Sequence, residues 1–312
     1  MVKVGIIGLS EANGHPFSFS AIINGYNEAE FAKTEWTGIL NYLNRKHESE
    51  IAALDAKVTH IWTQDSELSL QLSKSCYIEC IVDDYVDMIG NVDAIVIARD
   101  DYSNHLEMSR PFLEKGIPVF IDKPLTLDLE ELKWFLPYIE SGILMTCSGF
   151  RFAQELDCPR NDLKPFGNIK LITATVINGW EKYGIHMVDA LLGVSHFRPI
   201  AVECNTSLGH DSMLIELHDG TYFQVDALGP EVVTFSFDIY GSSGCGKYEI
   251  RDNFSAFKRC LFNFIKQVKS GKPSIDPKSV ELSILTLIAG HKSKELGIKV
   301  YLDDLKENIK KF

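Results

Sequence analysis

The chain has 312 residues, of which 45% are hydrophobic and 24% charged, so it is long and apolar enough for two ordinary domains and is not a disordered polymer. With 43 Asp and Glu against 31 Lys and Arg the net charge is −12, which disfavours nucleic acid and anionic membrane as partners; the basic run Lys306–Lys311, interleaved with Glu307, reads as a solvated helix face. No apolar stretch reaches the ~18 residues of a membrane span, the N-terminus reads as a strand rather than a signal peptide, and seven scattered cysteines without paired spacing imply reduced thiols in a cytoplasm and no metal site.

In chain order, Val2–Ile7 is a run of mostly β-branched residues, as a strand buried on both faces of a parallel sheet requires. Gly8 ends it, and a loop through Ser10 and Gly14 leads to a helix from about Phe17, with Pro16 tolerated in the first turn. Strand, glycine loop and helix start together make an anion cradle, because free peptide N–H groups and the helix dipole both favour negative charge. The next strand is Val58–Trp62. More chain precedes it than one crossover helix needs, and helical spacing at Trp36–Arg45 and Glu48–Leu54 predicts a helical insertion at about 25–56.

A helix over Ser66–Ser73, a short strand within Cys76–Ile81, a short helix Tyr85–Ile89 and a buried strand Asp93–Ala98 follow. Helix Asn104–Glu114, strand Val119–Ile121 and helix Leu129–Ile139 complete an alternation that predicts a doubly wound, Rossmann-type parallel sheet over residues 1–124. Beyond Gly142 strands dominate: Ile143–Cys147, Ile169–Val176, Ala201–Ser207, Met213–Leu217, Tyr222–Ala227, Val232–Tyr240 and Lys247–Ile250. The Asp219-Gly220 pair marks a hairpin. Residues 125–312 are therefore expected to form a C-terminal α+β domain, a largely antiparallel open sheet with helices Ser255–Lys269 and Val280–Leu296 on one face, giving an α/β protein overall.

Several segments carry a resemblance. Val92-Asp93 through Ala98, then His105, then Phe112 through Gly116 to Asp122-Lys123-Pro124 reproduce in order a strand, histidine, helix, glycine, strand and lysine; Ser148–Phe152, Tyr183–Asp189, Gly271–Pro273 and Glu281–Gly297 continue the match. In these features the chain resembles the glucose-fructose oxidoreductase / inositol dehydrogenase / MocA family, as a divergent member. The resemblance implies hydride transfer between NAD or NADP and a sugar, polyol or related hydroxy compound. Lys123 and His186 stand at the reacting centre, His186 as base and Lys123 stabilising the alkoxide. It also implies a homo-oligomer assembled through the C-terminal sheet.

Where the family carries an acid four residues before the histidine, this sequence has Lys182 with Glu181 beside it. Either Glu181 takes the acid's place by a local shift, or the site works differently. The cofactor loop holds Gly8, Ser10 and Gly14 in place of three close glycines; Thr63 and Asp65 follow the second strand, Arg99 the fourth, and Asp122, Lys123 and Pro124 the fifth. Arg151, Trp180, Lys182, Tyr183 and His186 are the candidate substrate contacts, Arg151 for a carboxylate or phosphate and the two aromatic residues for a sugar ring. Two other readings stand beside this one: a ligand-binding sensor or accessory protein of the same fold without turnover, and a glycoside-cleaving enzyme with an NAD that cycles in place.

Overall fold

The computed structural model describes residues 1–205 and 209–310, so the end of the expected strand at Ser207 and the basic residue Lys311 lie outside the described residues. The chain divides into two compact units: Met1–Leu125, Pro137–Thr146 and Phe257–Ile275 form the first, and Thr126–Leu136, Cys147–Ala256 and Asp276–Phe312 the second.

The first unit is built on six parallel strands, β1 (Val2–Ile7), β2 (Ala56–Trp62), β3 (Cys80–Ile81), β4 (Ala94–Ile97), β5 (Val119–Ile121) and β6 (Leu144–Thr146), in the spatial order 3-2-1-4-5-6. That is the order of a dinucleotide-binding doubly wound sheet, with the strand sequence reversing direction beside β1. The central strands are apolar because both faces are covered: every residue of β4 and β5 is buried. Helices α1 (His15–Asn24), α2 (Glu28–Phe31), α3 (Thr37–Leu43), α4 (Ser66–Cys76) and α5 (His105–Leu113) belong to this unit, and α6 (Leu129–Ser141) enters it at Pro137. α2, α3 and a 3-10 turn at Glu48–Glu50 occupy the chain between α1 and β2, where the sequence implied extra helix. Their apolar residues Phe31, Leu40 and Leu43 are buried.

Two sequence expectations are corrected here. The strand read at Ile143–Cys147 belongs to the first sheet as β6, paired in parallel with β5, and not to the second domain. Helix α9 (Asn253–Ser270), expected on the second sheet, lies in the first unit from Phe257 onward, where Gln267 donates to the Gly142 carbonyl at 2.9 Å. Period-2 patterning identifies a strand but does not say which sheet it joins.

The second unit holds α7 (Asp157–Asn161), β7 (Ile169–Val176), α8 (Ile185–Val194), β8 (Pro199–Asn205), β9 (Asp211–Leu217), β10 (Tyr222–Ala227), β11 (Phe235–Gly241), β12 (Cys245–Glu249), α10 (Pro277–Leu296), β13 (Val300–Tyr301) and α11 (Leu302–Lys310). Its seven strands run in the order 12-11-7-10-9-8-13, all pairs antiparallel except β7 with β10. Side chains alternate as a one-sided sheet requires. Ile172, Ala174, Val225, Phe223, Phe237, Ile239, Met213 and Ile215 are buried, while Thr173, Thr175, Gln224, Asp226, Asp238 and Tyr240 on the other face are half-buried.

Candidate active site

The strand register of the first unit sets Trp62, Ile7 and Ile97 side by side and Ile97 beside Ile121, so the residues that follow project from one carboxyl edge. Gly8 N–H donates to the Trp62 carbonyl at 3.0 Å. Leu9 is clasped by Gln64, whose Oε1 accepts from the Leu9 N–H at 3.0 Å and whose Nε2 donates to the Leu9 carbonyl at 2.6 Å. Ser10 Oγ donates to Asp100 Oδ1 at 2.8 Å and accepts from Asp100 N–H at 3.1 Å. The guanidinium of Arg99 is spent on Asp101, at 2.8 and 2.5 Å, and on Gln64 Oε1 at 2.9 Å. Burial raises the Asp101 carboxyl, but hydrogen bonds from Arg99 outweigh it and hold it below the usual range. Each carboxylate of the Arg99-Asp100-Asp101 run thus has a cation nearby, for Lys123 Nζ stands 3.7 Å from Asp100 Oδ2.

Lys123, 4% exposed, and buried Pro124 leave β5 beside a second pair that the sequence did not single out. His15 Nδ1 lies 2.5 Å from Asp122 Oδ2. Asp122 also accepts from Asn13 Nδ2 at 3.3 Å and from the Lys123 N–H at 2.9 Å. The His15 ring is stacked on Phe19, with centroids 5.0 Å apart, and meets the edge of Phe257 at 4.8 Å. Burial pushes the Asp122 carboxyl up, yet the His15 charge and hydrogen bond, followed by Lys123, bring it down to about 2. His105, by contrast, is structural: wholly buried, its two ring nitrogens face the Leu125 and Arg99 carbonyls, each at 3.0 Å.

The loop residues fit a dinucleotide, with altered roles. A Cβ at Gly8 would stand 2.5 Å from Pro16, and one at Gly14 2.4 Å from Trp36, so both glycines serve packing of the chain on itself. Ser10, at the position of close backbone approach, turns its hydroxyl away into Asp100. The tip Glu11–Ala12 is exposed, with Ala12 at φ 58°. α1 itself contributes less: the His15 N–H is already accepted by Asn13 Oδ1 at 2.9 Å, and Pro16 has none. Thr63 Oγ1 donates to the Asp65 carbonyl at 2.5 Å, and Asp65 caps α4 by accepting from the Glu67 N–H at 2.8 Å.

In the second unit α8 starts after a π-helical turn, Trp180–Gly184. His186 is 6% exposed, with Nδ1 2.6 Å from Ser148 Oγ and its ring among Phe150, Tyr183 and Phe235 at 4.8, 5.4 and 6.0 Å. Ser148 is fixed in turn, its N–H donating to Asp189 Oδ2 at 2.6 Å. Of the expected substrate contacts, Tyr183 borders His186 and Lys182 is exposed on the same turn.

Three of the expected site residues are engaged by their own surroundings. Trp180 is fully buried between Gly184 and Gly290, with its indole N–H donating to the Leu287 carbonyl at 2.9 Å, so no face remains for a sugar. Arg151 is 5% exposed and clamps Asp189 Oδ1 through Nε at 3.1 Å and through a terminal nitrogen at 2.6 Å, leaving it to hold the fold instead of a ligand. Glu181 stands 3.3 Å from His291, and Ser148 Oγ lies at His186 Nδ1. Ser148 lay inside a recognised motif, and His15 between two loop-forming residues; neither carries a local mark of function.

The model of the oxidoreductase family with an NAD-binding Rossmann fold matches residues 2–141. No curated protein matches. Among solved structures, a probable dehydrogenase from Thermotoga maritima is 16% identical with a TM-score of 0.73, covering 97% of this chain and 100% of its own. The scyllo-inositol dehydrogenase of Lactobacillus casei with NAD(H) and scyllo-inositol is 17% identical, TM-score 0.73, covering 97% and 99%. The myo-inositol dehydrogenase of Lactobacillus casei with NAD(H) and myo-inositol is 13% identical, TM-score 0.74, covering 96% of each. At these identities the likeness is one of fold.

Proposed function

We propose that this chain, whose residues 2–141 match the model of the oxidoreductase family with an NAD-binding Rossmann fold, transfers hydride between a nicotinamide dinucleotide and a hydroxyl-bearing carbon of a sugar, polyol or related compound. The observation that carries this reading is Lys123, a nearly buried cation at the carboxyl edge of a sheet ordered 3-2-1-4-5-6. Bound there, the dinucleotide supplies the hydride acceptor or donor. The tip of the loop from Ser10 to Asn13 holds its phosphates and Asp65 its ribose. The Lys123 ammonium stabilises charge developing on the substrate oxygen.

The substrates to assay first are inositols, since two structural relatives are seen with them. Assembly into a homo-oligomer through the half-buried face of the second sheet, and residence in the cytoplasm, belong to the same reading; among the described residues no disulfide joins any of the seven cysteines, and no helix is long and apolar enough to cross a membrane. Calorimetric titration with NAD(H) and NADP(H) tests it, on wild type and Lys123→Ala. Binding by both, with kcat/KM on an inositol reduced about 100- to 1000-fold in the variant, is the expected result. A folded wild type that binds no dinucleotide would overturn it. The second reading, a binding protein without turnover, is favoured by Lys182 standing where the family has an acid; it predicts dinucleotide binding with no turnover of any polyol.

A further inference from the structure

The second unit carries a cavity of about 500 Å³ where the connection from α8 to β8 meets the start of α10 and the side of α11. Three cations line it, Arg198, Lys278 and Lys306, in a chain whose net charge is −12. Among the described residues Arg198 and Lys278 form no ion pair, and Lys306 has Asp303 at 3.3 Å, whose carboxylate is 79% exposed. Of the two acids on the wall, Asp276 is taken up as the cap of α10, accepting from the Lys278 N–H at 3.2 Å. The other, Glu281, is half-buried, with no cation in ion-pair contact among the described residues. A buried feature opens on the same space. Ser279 Oγ accepts from Arg151 Nη1 at 2.9 Å, and Arg151 is itself fixed by Asp189. Accepting there, the Ser279 hydroxyl retains its proton, for which no acceptor stands among the described residues. The peptide N–H groups of the α10 start take no part, since Pro277 has none and those of Lys278, Ser279 and Val280 all donate to Asp276. Recognition in this cavity therefore lies with side chains.

We propose that this cavity is a binding site for a small phosphate ester that carries free hydroxyl groups. A phosphate presents three strong acceptor oxygens and close to two negative charges, which match the Arg198 fork, the two ammonium groups and the Ser279 hydroxyl. A carboxylate, with two oxygens and one charge, would leave part of that set unused. Glu281 at neutral pH can only accept, so hydroxyls on the rest of the ligand belong beside it and a second anionic group does not. The volume exceeds the needs of inorganic phosphate and falls in the range of sites for small organic molecules. Every residue of the site lies in the second unit, and the inference is independent of the oxidoreductase reading.

Calorimetric titration of the full chain at fixed ionic strength, with glycerol 3-phosphate and with inorganic phosphate, tests the assignment. Glycerol 3-phosphate is expected to bind with a Kd below about 1 mM, and inorganic phosphate more weakly. Arg198→Ala and Lys278→Ala, at exposed positions where truncation spares the core, are each expected to weaken glycerol 3-phosphate about 10-fold. Glu281→Gln removes a repelling charge and is expected to tighten inorganic phosphate about threefold, while narrowing the advantage of glycerol 3-phosphate over it. Failure of both phosphates to bind at about 10 mM overturns the proposal. Binding left unchanged by both cation variants also overturns it, because the anion would then be held elsewhere, as on the nucleotide loop. Equal tightening of the two ligands in Glu281→Gln overturns the hydroxyl-bearing ester as the ligand class.

Discussion

The first unit settles a histidine with a carboxylate; the second settles one with a hydroxyl. Around His15 the edge of the parallel sheet is crowded with Asp100, Asp101, Asp122, Arg99 and Lys123, and each acid there is answered by a cation. Around His186 the surroundings are aromatic, and the nearest ion pair, Arg151 with Asp189, acts one step back by holding the backbone of Ser148. The difference is that an ionised carboxylate can only accept a hydrogen bond, whereas a serine hydroxyl can accept and donate. The first arrangement is robust to small movements; the second depends on complete burial.

Three stability measurements by urea unfolding would sharpen that contrast. The largest effect is expected for Arg151→Ala, about 3–5 kcal/mol, because Asp189 would remain buried without its cation; a loss under about 1 kcal/mol would mean that the Ser148 and Ser283 contacts suffice. Next comes Asp122→Asn. The folded carboxyl binds its proton more weakly, at about 2 against 3.8, so its contribution is present above pH 3.8 and disappears as pH falls towards 2. The shift corresponds to about 2 kcal/mol at neutral pH, and the gap between wild type and variant should close as acid is added. A gap that persists at low pH would show that packing, not charge, is lost. Smallest is Ser148→Ala, about 1–2 kcal/mol for the two hydrogen bonds of its Oγ, to His186 and from the Phe150 N–H, with Ser148→Thr expected to recover most of the loss. If threonine fails to recover it, the loss lies in packing and not in the hydroxyl.

Much of the fold was legible because its signals are local. Strands β4 and β5 are buried throughout and read as uninterrupted apolar runs, as β1 does but for the exposed Lys3, and the inserted helices betray themselves by surplus length. β6 was legible as a strand but not as a member of the first sheet, since its partner β5 lies across a helix and the choice is made by packing. The site divides in the same way. Lys123 and Asp122 stand in a motif, whereas His15 acquires meaning only when α1 brings it to the end of β5, more than a hundred residues along the chain. Trp180 misled because burial is not written beside a tryptophan; Gly184 and Gly290, which make room for its ring, are themselves far apart in sequence.

The packing of Trp36 and Ile39 against the Cα of Gly14 bears on how this protein can be re-engineered or have diverged. The inserted helices form the outer wall of the nucleotide loop, and Tyr42 fastens that wall to Ser18 in the next turn. Trimming the crossover to ordinary length would leave the loop without its outer support. Grafting three close glycines into the loop would leave the wall without its counterpart. Loop and insertion therefore behave as a single exchangeable cassette, and a functional chimera has to move both.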